Sequence, residues 1–152
     1  MKHLIRLSFV MLIVVGLLVG CGGAAEDAGD AGASAESAFK VTGMVDAEKA
    51  WTLAELEAMD TLEADYTNKD DETTTYTGVA VSALLDAAGV GAGAAGITLV
   101  ADDGYSADVT LEELAGCADC IIGFRDDGGL MSVLPGFPGK VQVKGVIEMQ
   151  VK

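Results

Sequence analysis

The sequence predicts one small α+β domain, in which short helices accompany a mixed or antiparallel β-sheet. Apolar and polar residues alternate over several short segments, which is typical of strands. Two further segments have the residue pattern of a helix start. Short helices interleaved with hairpin-joined strands favour this class over a doubly wound parallel sheet.

Three short helices are predicted. Two of them begin with a capping box, in which a threonine caps the helix and a glutamate three positions later reaches back: Thr52 with Glu55, and Thr110 with Glu113. Trp51 can pack on Leu56 as a hydrophobic staple, which accounts for this tryptophan better than stacking on a ligand. A third helix is expected over residues 81–88, with Gly89 able to adopt the left-handed conformation that ends it.

Strands are predicted where every second residue is apolar. These positions are Phe39, Val41 and Val45; Leu62, Ala64 and Tyr66; Ile97, Leu99 and Ala101; and Tyr105, Ala107 and Val109. The Asp103-Gly104 pair indicates a hairpin turn between the last two strands, and residues 121–124 indicate another strand. The clearest alternation covers residues 141–151 and predicts one continuous final strand, with Ile147 on the buried face and Glu148 facing away.

The N-terminus has the pattern of a bacterial lipoprotein signal peptide. Lys2 and Arg6 make it positive, and residues 9–20 form an apolar run of 12 residues. A membrane-spanning helix needs about 20 residues, so an uncut signal anchor fits this length poorly. The run ends at Cys21 in a sequence that resembles the lipobox, where a signal peptidase cuts just before a lipidated cysteine. We expect residues 1–20 to be removed and Cys21 to carry lipid.

The chain after the signal peptide is interpreted as two parts. Residues 21–38 form the lipidated cysteine and a flexible acidic linker, because residues 22–38 include no aromatic or β-branched side chain to bury. Residues 39–152 are long enough for one two-layer core. This organisation predicts a cell-envelope protein on the extracytoplasmic face of a bacterial membrane, held there by the lipid on Cys21.

Charge and residue content exclude several functions. The chain has 24 Asp and Glu residues against 9 Lys and Arg residues, a net charge of −15, so nucleic acid is not expected as a partner. We interpret the acidity as a solubilising surface, with a specific cationic partner as the alternative.

The single histidine, His3, lies in the signal-peptide segment. The remaining chain therefore cannot use Ser-His-Asp or Cys-His catalysis, His-ligated zinc, or haem attached through Cys-x-x-Cys-His.

Two segments, residues 76–90 and residues 97–107, resemble the oxidoreductase molybdopterin-binding domain of the sulfite oxidase family. That family has a Tyr-x-Gly-Val stretch before a helix with paired leucines, and then a strand ending in Asp-Gly-Tyr-Ser. Residues 129–149 resemble its Pro-Gly loop and closing strand. The resemblance implies a sulfite-oxidase-like fold, molybdopterin as the family cofactor, and Tyr105 and Lys144 as residues beside that cofactor.

The chain departs from this family at the metal. The family binds molybdenum through one cysteine in the segment that corresponds to residues 62–68, where this chain has Asp65, Tyr66 and Thr67 and no cysteine. A carboxylate or phenol is a hard substitute for the soft thiolate of a molybdenum-dithiolene centre. A family arginine is replaced at Met131 or Ser132. We therefore expect the fold without bound metal, without resident cofactor and without catalytic residues.

Cys117 and Cys120 form a Cys-x-x-Cys pair after the second capped helix. Three interpretations stay open: a structural disulfide, two unpaired thiols, or a functional redox or metal pair. A thioredoxin-like role requires the first thiol at a helix N-terminus, whereas Cys117 follows a helix C-terminus. One pair alone cannot complete a tetrahedral zinc site.

Acidic clusters at residues 70–72, 102–104 and 126–128 lack the alternating spacing of a calcium loop, and we interpret them as solvated turns. For Tyr105, a position in the core or at its rim is the alternative to contact with a ligand.

Three functional hypotheses follow. The first is a non-catalytic binding or accessory module. The second is an oxidoreductase or electron-transfer partner of an envelope redox protein, using a bound pterin or the Cys117/Cys120 pair. The third is a structural coat protein.

Overall fold

A computed structural model describes residues 36–152, so the predicted signal peptide, Cys21 and most of the predicted linker lie outside the described residues. The described part contains nine strands, three α-helices and one 3-10 helix. In chain order they are β1 (Phe39–Gly43), β2 (Lys49–Trp51), α1 (Leu53–Glu57), β3 (Thr61–Thr67), β4 (Thr73–Ala80), α2 (Val81–Ala88), β5 (Gly96–Ala101), β6 (Ser106–Thr110), α3 (Leu111–Ala115), β7 (Ile121–Phe124), β8 (Leu130–Val133), the 3-10 helix (Gly139–Val141) and β9 (Val146–Val151). No helix of residues 36–152 is long and apolar enough to cross a membrane.

The strands form two sheets. The first has the order β2-β1-β9-β5-β6, in which β1 and β9 are parallel and the other neighbours are antiparallel. The second is antiparallel, with the order β3-β4-β7-β8. The predicted α+β class, with mixed and antiparallel strands and short helices, is confirmed.

The predicted helix starts are confirmed by their capping hydrogen bonds. The Thr52 hydroxyl accepts from the Glu55 N–H at 3.2 Å, and the Glu55 carboxylate accepts from the Thr52 N–H at 2.7 Å. Thr110 and Glu113 make the same pair of bonds at the start of α3. The third helix, α2, has the predicted bounds and ends at Gly89, whose φ of 71° suits glycine.

The final strand is shorter than predicted. Its first predicted residue, Val141, is the last residue of the 3-10 helix, and β9 begins at Val146. Residues 142–145, which we call the crossing segment, instead run beside β8. There the Ser132 N–H donates to the Val143 carbonyl, and the Gly145 N–H donates to the Leu130 carbonyl. Val141 and Val143 are both buried, which explains why their spacing resembles that of the apolar residues of a strand.

The predicted alternation within β9 is confirmed from Met149 to Val151 and is wrong at Ile147 and Glu148. Ile147 is 40% exposed, while Val146 and Met149 are buried. The pairing of β9 with β5 passes from Glu148 directly to Val146, so Ile147 is the extra residue of a β-bulge. The bulge reverses the alternation on its N-terminal side. Glu148 is nevertheless only 9% exposed, because it accepts from the Thr42 hydroxyl and pairs with Lys40.

The core has two parts. The larger part joins both sheets to all three helices. Its members include Phe39, Leu99 and Met149 from the first sheet, Val79 and Ile122 from the second, and Leu56 and Leu84 from helices. The smaller part lies under the second sheet and consists of Ala64, Ile121, Met131 and Val133, with Tyr66 and Tyr76 packed against it. Leu62 was expected to alternate into the core with Ala64, yet it is 42% exposed, and its partner on β4 is Gly78, which has no side chain to cover it.

Candidate functional site

A cleft with a volume of about 240 Å³ lies between β3 and the loop that follows β8. Strand β3 contributes Asp65, Tyr66 and Thr67 to its lining, and the loop contributes four residues of the 134–137 segment. The segment that corresponds to the family's cysteine and the Pro-Gly loop therefore face each other, although about 70 positions separate them in sequence.

A second cleft of about 590 Å³ adjoins the first, with which it shares Tyr66, Thr67 and Gly139. Its further lining residues are Asn68, Lys69, Asp70 and Lys144. We refer to the two clefts together as the β3 cleft. It brings together residues of two segments named in the family resemblance, 62–68 and 129–149.

Gln142 holds the wall of the β3 cleft. Its side-chain amide accepts from the Leu134 N–H at 2.8 Å and donates to the Leu134 carbonyl at 2.6 Å. Both polar ends of this amide are therefore engaged within the protein. The two bonds close the Pro-Gly loop on itself and fix the position of its lining residues.

Lys144, one of the two residues expected beside a cofactor, lines the β3 cleft together with Lys69. Neither lysine forms a salt bridge within residues 36–152, where the ion pairs are Lys40–Glu148, Arg125–Asp127 and Lys152–Asp108. One carboxylate, that of Asp70, lines the same part of the cleft. Contact between Lys144 and a cofactor stays a prediction.

Tyr105, the other expected contact, is not among the residues that line the β3 cleft. Its side chain is 47% exposed, and its hydroxyl donates to the Lys140 carbonyl at 2.8 Å. Lys140 belongs to the 3-10 helix, whose first residue, Gly139, lines both parts of the cleft. From outside the cleft, the Tyr105 hydroxyl thus holds the 3-10 helix, which carries Gly139, in place.

The positions where the family has its arginine are used by the core. Met131 and Ser132 are both fully buried, and neither lines the β3 cleft. The Ser132 hydroxyl donates to the Val141 carbonyl and accepts from the Val143 N–H, each at 2.7 Å. This hydroxyl supports the crossing segment and is not directed to a ligand.

The donor atoms of the β3 cleft do not fit a molybdenum-dithiolene centre. Asp65 offers a carboxylate that already accepts from the Thr75 hydroxyl at 2.6 Å, and Tyr66 offers a phenol. Cys117 and Cys120 are joined by a disulfide and line a separate groove between α2 and α3. Among the described residues, no group of three or more His, Cys, Asp or Glu is arranged to hold a metal. A soft thiolate is therefore missing where such a centre would need it.

The acidic clusters lie in turns, where side chains in or beside each cluster accept hydrogen bonds from the backbone. The Asn68 side chain accepts from the N–H groups of Asp70 and Glu72. Asp103 accepts from the Tyr105 N–H, and Asp127 accepts from the N–H of the residue two positions on. These bonds agree with the interpretation of the clusters as turns.

Sequence reasoning missed Gln142 and Lys69. The alternation over residues 141–151 predicts Gln142 on the polar face of the final strand, and nothing local indicates that a loop folds back over it. Lys69 lies in the β3–β4 turn, and its place in the cleft depends on the distant segment that carries Lys144. The one sequence signal for it is a lysine placed directly before the acidic residues 70–72 in a chain with few cationic side chains.

Comparisons with known proteins agree with this geometry. The model of a family described as the oxidoreductase molybdopterin binding domain matches residues 32–152. Twenty-two chains of solved structures match. One is the sulfane dehydrogenase SoxCD from Paracoccus pantotrophus, with a TM-score of 0.64 and 17% sequence identity, covering 74% of this chain. This chain spans only 37% of that protein's chain, and at this identity the likeness shows the fold alone. No match was found among curated proteins.

Proposed function

The chain belongs to the oxidoreductase molybdopterin-binding domain family, and we propose that it is a membrane-anchored binding or accessory module that has this fold without molybdenum catalysis. The observation that carries the proposal is the β3 cleft, which is built from the family's segments and contains no thiolate. A binding role needs a shaped cleft, whereas the family's chemistry needs the metal ligand as well.

The rigidity of the cleft supports a binding role. Gln142 fixes the loop of residues 134–137, and Tyr105 ties down the 3-10 helix beside it. No buried side-chain nitrogen or oxygen among the described residues lacks a hydrogen-bond partner. The hydrogen bonds that shape the cleft walls are thus made within the chain, which lowers the ordering cost of binding a ligand.

The proposed location follows from the N-terminal sequence. Cleavage after residue 20 and lipid on Cys21 would tether the domain through the linker of residues 21–38 to the extracytoplasmic face of a membrane. The membrane is then a partner through the lipid and not through the acidic surface of the domain.

Turnover assays test the proposal. The full chain, expressed in a host that makes molybdenum cofactor, is expected to oxidise no sulfite and to reduce no sulfoxide above a blank. A matched variant, Asp65→Asn, changes the donor that stands in the cleft and should leave that result unchanged. Turnover by the purified wild type that is lost in Asp65→Asn would show that the cleft is catalytic with an oxygen ligand.

A second candidate, an oxidoreductase or electron-transfer protein that holds a pterin, is favoured by the two lysines of the cleft. Lys69 and Lys144 carry positive charge that no salt bridge neutralises within residues 36–152, and a phosphate group would be attracted to it. Release of a fluorescent pterin when the purified protein is denatured would support this candidate. A Lys49→Gln variant, which removes an exposed lysine outside the cleft, should keep that pterin, while Lys69→Gln and Lys144→Gln should lose it.

A further inference from the structure

The Cys117–Cys120 disulfide lies in the wall of an apolar groove between α2 and α3. The groove has a volume of about 260 Å³, and both half-cystines line it. Its other apolar lining residues are Val81, Leu85, Val90, Leu111, Leu114 and Ala115. None of its lining residues belongs to the β3 cleft, so this feature is separate from the proposed binding function.

The two half-cystines differ in exposure. Cys120 is 2% exposed and belongs to the core, whereas Cys117 is half-buried and packs at the edge of the core. The carbonyl of Cys120 also accepts from the Val81 N–H at 2.9 Å, which ties this residue to the start of α2. Cys117 is therefore the half-cystine that is more accessible from solvent.

The groove carries negative charge. Asp86 is the charged residue among those that line it. No lysine or arginine is among the lining residues. Together with the net charge of −15, this arrangement repels an anionic thiol and attracts a cationic one.

We propose that the Cys117–Cys120 disulfide is a thiol–disulfide exchange site for a partner dithiol whose attacking cysteine is flanked by apolar and basic residues. The apolar walls accept the apolar flank. Asp86 pairs with the basic flank, and the attacked atom is the sulfur of Cys117. The helix C-terminus before Cys117 gives its thiol no help in ionising, so the partner supplies the attacking thiolate.

The exchange passes two electrons from the partner dithiol to the protein disulfide. The partner thiolate attacks the sulfur of Cys117, the bond between the two protein sulfurs breaks, and the sulfur of Cys120 leaves as a thiolate that takes a proton from water. The second partner thiol, as thiolate, then attacks the partner's own sulfur in the mixed disulfide and frees Cys117, which is protonated. Two partner thiols are oxidised to a disulfide, and one protein disulfide is reduced to two thiols.

Small thiols of different charge test the proposal on the native full chain. Cysteamine, 2-mercaptoethanol and 2-mercaptoethanesulfonate are compared at equal thiolate concentration, and alkylation with mass spectrometry counts the thiols formed at Cys117 and Cys120. At low salt we expect cysteamine to react at least about five times faster than the sulfonate, with the ratio falling toward one in about 1 M salt. Asp86→Asn should reduce this ratio, whereas Asp60→Asn, which changes an exposed carboxylate outside the groove, should not.

Single-cysteine variants test which sulfur is attacked. Folded Cys120→Ser should form a mixed disulfide with cysteamine disulfide through Cys117, and folded Cys117→Ser should react at Cys120 at least about ten times more slowly, because Cys120 is buried. Reduction of the wild type only at the rate of global unfolding, with no dependence on thiol charge, would overturn the proposal and make the disulfide a closed structural link. The small-thiol comparison decides the matter even if a variant fails to fold.

Discussion

The hydroxyl of Tyr105 donates a hydrogen bond to the main-chain carbonyl of Lys140, with 2.8 Å between the two oxygens. The bond links the turn before β6 to the 3-10 helix, 35 positions away in sequence. Gly139, the neighbour of Lys140, lines both parts of the β3 cleft. A residue expected to touch a ligand is therefore placed where it can hold the cleft in shape.

We predict that Tyr105→Phe lowers the free energy of unfolding by about 1 kcal/mol, because it removes this bond and keeps the ring. Urea denaturation measures the change. Tyr76→Phe is the matched control, since the Tyr76 hydroxyl makes no side-chain hydrogen bond among those of the described residues, and it should change stability by less than about 0.5 kcal/mol. Equal effects of the two variants would show that the Tyr105 bond contributes nothing specific.

Gln142→Leu should destabilise the protein more than Tyr105→Phe does. The substitution leaves both the N–H and the carbonyl of Leu134 without their side-chain partner, at a cost of about 1–3 kcal/mol. Gln142→Glu keeps an acceptor for the N–H but has no donor for the carbonyl, so its effect should be intermediate. Chemical denaturation gives all three values, and an unchanged midpoint in Gln142→Leu would contradict the assigned role.

The helix starts could be predicted from sequence because their hydrogen bonds join residues three positions apart. Thr52 with Glu55 needs no information from elsewhere in the chain. The bulge at Ile147 could not be predicted, because it exists only in the pairing of β9 with β5. The β3 cleft could be predicted in part. Family resemblance indicated its two segments, and only the fold shows that Gln142 and Lys69 belong to it.

Acid should weaken the capping boxes. The hydrogen bonds from the Thr110 side chain and backbone lower the pKa of Glu113, and those from the Thr52 backbone and side chain lower the pKa of Glu55. A carboxylate with a lowered folded-state pKa adds stability above its unfolded pKa and loses it as the pH falls through the folded pKa. The free energy of unfolding should therefore decline as the pH drops below the ordinary glutamate range.

Thr110→Ala tests this contribution. The variant should be less stable at neutral pH by about 1 kcal/mol, the usual cost of removing a threonine cap, and its stability should fall less steeply in acid. Glu112→Gln is the control, because Glu112 takes no part in the capping box, and it should keep the steep acid decline. An acid slope in Thr110→Ala as steep as that of the wild type would contradict the assignment.

Membrane attachment is predicted to depend on Cys21. Acyl chains contribute about 0.8 kcal/mol per buried methylene, and stable anchoring takes more than one chain, so the wild type should sediment with membranes. Cys21→Ser should release the protein or leave it unprocessed, as fractionation and N-terminal mass spectrometry can show. Unmodified mature protein free in the medium of wild-type cells would contradict the lipoprotein prediction.

The central claim, a family fold without the family's metal, is tested most directly by the molybdenum content of the full chain purified from cells that make the cofactor. The residues of β3 that face the cleft offer oxygen donors, and both cysteines of the described domain are joined to each other elsewhere. Elemental analysis should therefore find no stoichiometric molybdenum. One molybdenum per chain, lost in Cys117→Ser or Cys120→Ser, would contradict the account and identify a rearranged metal enzyme.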